Sequence, residues 1–198
     1  MLTQLTTLKA RLALDPFDAT YDTLLTNALN AISARFDQET NRTLARAEST
    51  AYEFPAELTR ILVPCYPIES VARFEVKVSE AAGWVAIPDV EYVVLRRCII
   101  ALEAALPVPS AAPGLAVARV TYTGGYLLPG SPPAAEATAL PADLEQAALE
   151  QTVFWFQTRD KVGVVRQWPA GGNYEQFADP DLLPSVRRVL ARHTRFAV

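Results

Sequence analysis

The sequence predicts an α+β protein in which N- and C-terminal helices form one helical bundle, with a β-rich insertion between them. Apolar residues recur at helical spacing near both ends of the chain, whereas the middle alternates apolar and polar residues as half-buried strands do. Neither pair of terminal helices can bury its apolar faces alone, so the two pairs are expected to pack together. A length of 198 residues suits one medium domain or a domain with an insertion.

The N-terminal part of the bundle is predicted within residues 1–42. The first helix is expected to end before Pro16, because the residue that precedes a proline disfavours helical geometry. Asp18 is the expected N-cap of a second helix, which ends near Asn41. The first helix is recognised by leucines at helical spacing: Leu2, Leu5, Leu8 and Leu12.

Residues 43–126 are predicted to form the β-rich insertion. Alternation is clear in Phe74-Glu75-Val76-Lys77-Val78, as an antiparallel strand with one buried face requires. Gly124-Gly125 ends the last predicted strand at a point where the backbone needs positive φ. The predicted strands are short and separated by prolines and glycines: 60–63, 72–78, 84–87, 92–95, 98–102 and 117–123.

The C-terminal part begins with a Pro/Ala-rich loop at 127–140, and residues 141–198 form the remaining helices and a tail. One helix starts at Pro141 and ends around Asp160, and the last is expected from about Asp181 to Arg195. The run Val153-Phe154-Trp155-Phe156 points in nearly every direction around the helix axis. A helix that is apolar on so many sides is expected to be buried on many sides.

Catalytic and cofactor signatures are not evident in the sequence. His193, the sole histidine, lies near the end of an Arg-rich helix, where a positive charge suits the negative helix end. Cys/His metal spacing, a Walker loop and a dinucleotide-binding fingerprint are all lacking. The sequence therefore predicts no enzyme activity and no cofactor.

Bulk charge and hydropathy limit the function classes further. The net charge of -4 is not that of a polycation that seeks nucleic acid. No run approaches the roughly 20 apolar residues of a membrane span, and the N-terminus lacks the features of a signal peptide. We therefore expect a protein that is made and kept in a cytoplasm and does not associate with a membrane.

Positive charge concentrates at the C-terminal end. From residue 158 onwards, seven basic and four acidic residues give a net charge of +3, which leaves -7 for residues 1–157. Arg188, Arg192 and Arg195 are spaced i, i+4 and i+7 on the predicted last helix and would form one basic stripe. A solvated helix face is one interpretation of this stripe. The other is an electrostatic contact with an acidic protein partner or with DNA phosphates.

Several segments, taken in order, resemble the head–tail connector (adaptor) proteins of long-tailed bacteriophages, the neck subunits that dock on the portal. The resemblance covers most of the chain, and its specificity comes from the series of motifs rather than from any one of them. The matching segments are "LTQLTTLKARLAL", "DTLLTNALNAISARFDQETNR", "ILVPCYPIESVARFEV", "VTYTGGY", "LPADLEQAALEQTVFWFQTRD" and the Arg-rich last helix.

This resemblance implies a structural virion protein that forms a ring of twelve copies below the portal protein. Such a ring extends the DNA channel, lets genomic DNA pass without sequence-specific binding, and supports a stopper or tail-completion protein. It implies assembly in the host cytoplasm and a final place in the neck of the virion. The portal-facing residues it implies are Arg187, Arg188, Arg192, Arg195, Phe196 and Val198.

Contacts between neighbouring subunits are expected near the end of the helix that starts at Pro141 and in the loop that follows it. Trp155 is expected under the insertion or at a neighbouring subunit, and burial of the whole aromatic run within one chain is the alternative. The predicted subunit-interface residues are Trp155, Arg159, Trp168 and Tyr174.

Two other function classes stay open from the sequence. The same bundle could serve a non-viral soluble scaffold that binds a protein partner. A small hydrolase with its site in the β-rich middle is the third possibility.

Overall fold

The computed structural model describes residues 1–108, 116–159 and 181–195. The fold combines α-helices with mainly antiparallel sheets, so the predicted α+β class is confirmed. The chain divides into two compact units. The helical unit contains Met1–Thr40 and Leu140–Thr194, and the β unit contains Asn41–Ala139 together with Arg195.

The helical unit is built from four described helices, two from each end of the chain. The second helix packs against the third and fourth, and the third packs against the first and fourth. Its core consists of Leu8, Leu25, Leu29, Leu149 and Phe156, all buried, and each such side chain contributes roughly 1.5–3 kcal/mol when removed from water. The helices are α1 (Leu5–Arg11), α2 (Asp22–Thr40), α3 (Ala142–Thr158) and α4 (Pro184–His193).

The aromatic run of α3 contacts this core from several directions. Phe156 is buried, and its ring meets Tyr21 edge-on with 5.4 Å between ring centroids. Val153 and Trp155 are half-buried against the same core, and Phe154 is also half-buried. Burial within the chain therefore accounts for a large part of the run, while part of Trp155 remains open to solvent.

The β unit contains two larger antiparallel sheets and one short parallel pair. The four-stranded sheet has the order β1-β7-β3-β4, the three-stranded sheet has the order β2-β6-β5, and β8 pairs with β9. The strands are β1 (Ala47–Pro55), β2 (Arg60–Leu62), β3 (Ile68–Lys77), β4 (Val85–Ile87), β5 (Tyr92–Leu95), β6 (Ile99–Leu102), β7 (Val117–Gly124), β8 (Tyr126–Leu127) and β9 (Thr138–Ala139).

A single apolar core joins the two larger sheets. Phe54, Phe74 and Val120 come from the four-stranded sheet, and Ile61 and Ile100 come from the three-stranded sheet. All five are at most 3% exposed. The β unit therefore has an apolar core of its own.

Two predicted helix boundaries are wrong. Helix α2 begins at Asp22, because the carboxylate of Asp18 accepts hydrogen bonds from the backbone and hydroxyl of Thr20 in the preceding turn. Helix α4 covers only Pro184–His193, because Thr194 adopts extended backbone geometry.

The strands differ from those predicted from the sequence mainly by the presence of an additional strand, β1. This nine-residue strand pairs with β7 in the larger sheet. Strand β3 begins at Ile68, four residues before the predicted start. The segment 127–140, predicted as a loop, contributes Leu127 and β9 to the short parallel pair.

Candidate assembly surfaces

Helix α4 presents two arginines to solvent, as the sequence predicts. Arg188 and Arg192 are exposed and four residues apart, while Val186 and Leu190 on the same helix are buried. Neither arginine forms an ion pair with another residue in the described part of the chain. Arg187 is also exposed but pairs with Asp181. Two guanidinium groups on one helix, without an ion pair among the described residues, form a small basic surface that suits an acidic partner.

Arg195 does not continue this stripe, because it lies beyond the end of the helix. Its guanidinium donates hydrogen bonds to the hydroxyl of Tyr52 at 3.1 Å and to the carbonyl of Leu62 at 2.7 Å. It also lies over the Tyr52 ring, 5.6 Å from the ring centroid. Arg195 is therefore held by residues of the β unit, and its predicted place in a three-arginine stripe is wrong.

His193, at the C-terminal end of α4, contacts the N-terminal turn of α3. Its Nε2 lies 3.0 Å from Oδ2 of Asp143. Partial burial raises the pKa of Asp143, but the hydrogen bond and charge of His193, with help from backbone amides, outweigh that effect and lower the pKa below its usual value. The pair joins the ends of two helices.

The predicted subunit-interface residues fall into two groups. Arg159 follows α3; its guanidinium lies over the Phe156 ring, 4.0 Å from the centroid, and donates to the Phe156 carbonyl at 2.6 Å. Trp155 is half-buried and faces a groove. Trp168 and Tyr174, like the predicted portal-facing residues Phe196 and Val198, lie outside the described residues.

The groove lies between α2 and α3 in the helical unit and has a volume of about 730 Å³. Leu24 in its lining is 38% exposed, which leaves apolar surface accessible to a partner. Arg35 and Asp181 supply charge at the groove. We call it the α2/α3 groove, and its apolar lining is formed by Leu24, Ala28, Ala31, Ile32, Trp155 and Leu182.

Phe17, in the turn between α1 and α2, was not singled out from the sequence. Its side chain is 95% exposed, which is the highest exposure among the large apolar residues of the described chain. An aromatic residue between Pro16 and Asp18 in an otherwise polar turn is the one sequence signal that could have identified it. We call residues 15–18 the Phe17 turn.

The described residues were also compared with the requirements of a metal site and of a membrane-spanning helix. Within residues 1–108, 116–159 and 181–195, no group of three or more His, Cys, Asp or Glu side chains could hold a metal ion. None of the helices in the described ranges has both the length and the hydrophobicity that a membrane span requires.

Solved structures of known particles contain chains with a similar fold. A chain from the neck of an empty gene transfer agent (GTA) particle, computed with C6 symmetry, superposes with a TM-score of 0.62 at 17% identity. The match covers 100% of this chain and 91% of that chain. This chain has the fold of a GTA neck chain. The resemblance to head–tail connectors that the sequence motifs indicated is thereby confirmed at the level of the fold.

Two further structures share the neck fold. A chain from the neck of a native GTA particle, computed with C12 symmetry, has a TM-score of 0.52 at 18% identity, and the match covers 88% of this chain and 84% of that one. A chain from the virion of a native GTA particle has a TM-score of 0.53 at 17% identity, with coverages of 92% and 82%. No protein-family model matches the chain, and neither does any curated protein.

Proposed function

We propose that this protein is a structural neck subunit, a head–tail connector that forms a ring below the portal of a phage-like virion. The ring would contain twelve copies, extend the DNA channel, and provide a platform for a stopper or tail-completion protein. Its subunits would assemble in the host cytoplasm. In each subunit, the terminal helices would act as a bundle that carries the β unit as an insertion.

The observation that carries this proposal is the extent of the structural match. The neck fold covers the whole of this chain and 91% of the GTA neck chain, so the likeness is not confined to a common helical or β substructure. The C12 and C6 symmetries of the neck structures suit a ring of twelve subunits, since sixfold symmetry is contained in twelvefold symmetry. A closed ring needs heterologous contacts that repeat by rotation.

The charge of the chain suits a channel through which DNA moves. Duplex DNA carries about one negative charge per 1.7 Å, and a strongly basic wall would retain it. The net charge of -4 favours a lumen lined by acidic or neutral residues. The basic surface formed by Arg188 and Arg192 would then face the portal rather than the lumen.

Imaging with the portal protein of the same particle tests the proposal directly. When the purified protein is mixed with portal, negative-stain images should show an additional annular layer on the portal. A protein that adds no density to the portal at any mixing ratio would contradict the connector function.

The portal-facing role of α4 can be tested separately by charge reversal. The double variant R188E/R192E should lose co-sedimentation with portal, because two attractive contacts become repulsive. The matched control is R60E/R96E, which makes the same change in net charge at two exposed arginines of the β unit. Equal binding by the R188E/R192E variant and the unmodified protein would rule out this role for α4.

A further inference from the structure

The Phe17 turn exposes a large aromatic side chain at a cost in free energy. Leaving a phenylalanine in water instead of burying it forgoes roughly 1.5–3 kcal/mol. At 95% exposure, Phe17 makes almost no contact with the rest of its own chain. It therefore does not occupy the α2/α3 groove of its own subunit.

The turn that carries Phe17 is fixed by a buried lysine. Lys9 is only 4% exposed, and its Nζ donates to the carbonyls of Pro16 at 3.2 Å and Asp18 at 2.8 Å. The same Nζ lies 2.5 Å from the carboxylate of Asp22. A buried ammonium with three oxygen partners holds the backbone on both sides of Phe17 in one conformation.

Hydrogen bonds among the residues of the turn fix its backbone as well. The carboxylate of Asp15 accepts a hydrogen bond from the Phe17 amide at 2.9 Å. The amide of Asp18 donates to the Asp15 carbonyl at 3.2 Å. The exposure of Phe17 thus belongs to an ordered turn, and an exposed aromatic side chain on an ordered turn is a suitable anchor for a partner.

We infer that Phe17 of one subunit inserts into the α2/α3 groove of the neighbouring subunit in the proposed ring. The occupant of the groove is thus a second copy of this chain, and the inference rests on the function proposed above. The turn and the groove are different surfaces of the helical unit, so the contact is heterologous, which is the type that a closed ring requires. Among the described residues, neither the Phe17 ring nor the exposed part of the apolar groove lining is covered by another part of the chain.

Charge is distributed in a way that orients this contact. Phe17 is flanked by two acidic residues, Asp15 and Asp18, both exposed. The guanidinium of Arg35 lies at the groove and is 51% exposed, and its ion-pair partners are Glu39 at 2.7 Å and Asp181 at 3.8 Å. The two acidic residues of the turn would approach the exposed half of Arg35, in competition with Glu39 and Asp181, while the phenyl ring enters the apolar part.

The area of contact makes Phe17 an anchor rather than the whole interface. A buried phenylalanine removes about 150–250 Å² from solvent, whereas a stable interface needs upwards of about 1,000 Å². The rest must come from surfaces around the turn and the groove. Anchors of this kind contribute disproportionately, and the loss of one weakens association by roughly 30-fold or more.

Disulfide cross-linking tests the contact in rings assembled on the portal. One preparation carries F17C and the other carries I32C, both with Cys98 replaced by serine to remove the partly exposed native thiol. Mild oxidation of mixed rings should give a covalent dimer, and each preparation alone should give none. The control pair, F17C with V85C, places the second cysteine on an exposed position of the β unit and should not cross-link.

The outcomes separate this contact from the connector function itself. Rings that form on the portal without an F17C–I32C dimer would overturn the insertion of Phe17 and leave the connector function standing. If no rings form with the unmodified protein, the connector function fails, and the insertion of Phe17 fails with it.

A second variant tests the same contact without cysteines. F17A should leave the free energy of unfolding of the isolated subunit unchanged, because the side chain is almost fully exposed, and should reduce ring assembly roughly 30-fold or more. V85A, at an exposed valine of the β unit, is the control and should assemble normally. Normal assembly of F17A would overturn the inference.

Discussion

Gly124 and Gly125 are placed where no larger residue fits. A Cβ on Gly124 would lie 2.6 Å from the carbonyl oxygen of Cys65, and one on Gly125 would lie 2.6 Å from that of Ala45. Gly125 also has φ of +99°, as the sequence predicted for the end of this strand. The glycine pair therefore lets the end of β7 approach neighbouring backbone closely.

Replacement of Gly125 by alanine should strongly destabilise the β unit. The strain of positive φ costs roughly 1–3 kcal/mol, and the overlap with backbone at Ala45 adds to it. We expect G125A to lower the free energy of unfolding by about 3 kcal/mol or more, measured by urea denaturation.

The matched control is G83A. Gly83 also has positive φ, at +67°, but no atom lies within 4 Å of the position of its Cβ. G83A should lower the free energy of unfolding by about 1 kcal/mol, from backbone strain alone. Equal losses for the two variants would show that close packing at Gly125 has no energetic role.

Side-chain exposure was predictable where helical spacing alone decides it. Arg188 and Arg192 are exposed together as predicted, because four residues separate them on one helix. The predictions that Arg195 belongs to the stripe and that Asp18 caps α2 were wrong. Each residue lies just outside a helix and binds a partner that helical spacing does not reveal. The exposure of Phe17 was not predicted, because the turn that carries it is held by Lys9. The burial of Lys9 depends on tertiary contacts that the local sequence does not show.

The ends of α3 and α4 are coupled by a titratable pair. The pKa of the Asp143 carboxyl is lowered from its usual value of 3.8. A carboxylate whose pKa is lower in the folded state stabilises the fold above its unfolded pKa, and this contribution disappears as pH falls through the folded value. The carboxylate is 42% exposed, so solvent screens the interaction and the effect is small.

The variant D143N tests this coupling. The difference in unfolding free energy between the unmodified protein and D143N should be fully present at about pH 5, where the carboxylate is ionised in both states. It should shrink below about pH 3.8. Urea titrations at closely spaced pH values measure this difference. A difference that stays the same from about pH 5 to below about pH 3.8 would show that Asp143 does not stabilise the fold through its charge.

Strands were predictable where residues with high β propensity alternate without interruption. Strand β5 has the predicted bounds, and β7 extends only one residue further. Strand β1 was missed because its sequence, "AESTAYEFP", is rich in residues that strands disfavour. Its pairing with β7 also shifts register between Ala47 and Thr50, where Ser49 has positive φ, and this irregularity hides the alternation.

At the scale of the whole molecule, the sequence indicated the fold class and the resemblance to neck proteins, but it did not locate the α2/α3 groove or the Phe17 turn. Periodicity identifies which face of α2 is apolar, and part of that face is buried by α3 within the chain. The remaining part, at Leu24 and Ile32, lines the α2/α3 groove. Which part of the apolar face is buried and which part stays open depends on how many helices pack around α2. A local sequence pattern does not encode that number.

The division into two units leads to a prediction about autonomous folding. The β unit comes almost entirely from one continuous segment, Asn41–Ala139, and has its own apolar core. A segment of about 100 residues with its own core has the size and burial of an independent domain. The helical unit, in contrast, needs segments from both ends of the chain.

The excised segment 41–139 should therefore fold alone, with well-dispersed amide resonances and one cooperative unfolding transition. It lacks Arg195, which binds Tyr52 and Leu62, so its stability should be lower than that of the same unit in the full chain. The control is R195A in the full chain, which removes the same contacts and should account for part of the loss. Collapsed amide dispersion in the excised segment would mean that the β unit depends on the helices to fold, and would contradict its proposed status as an insertion.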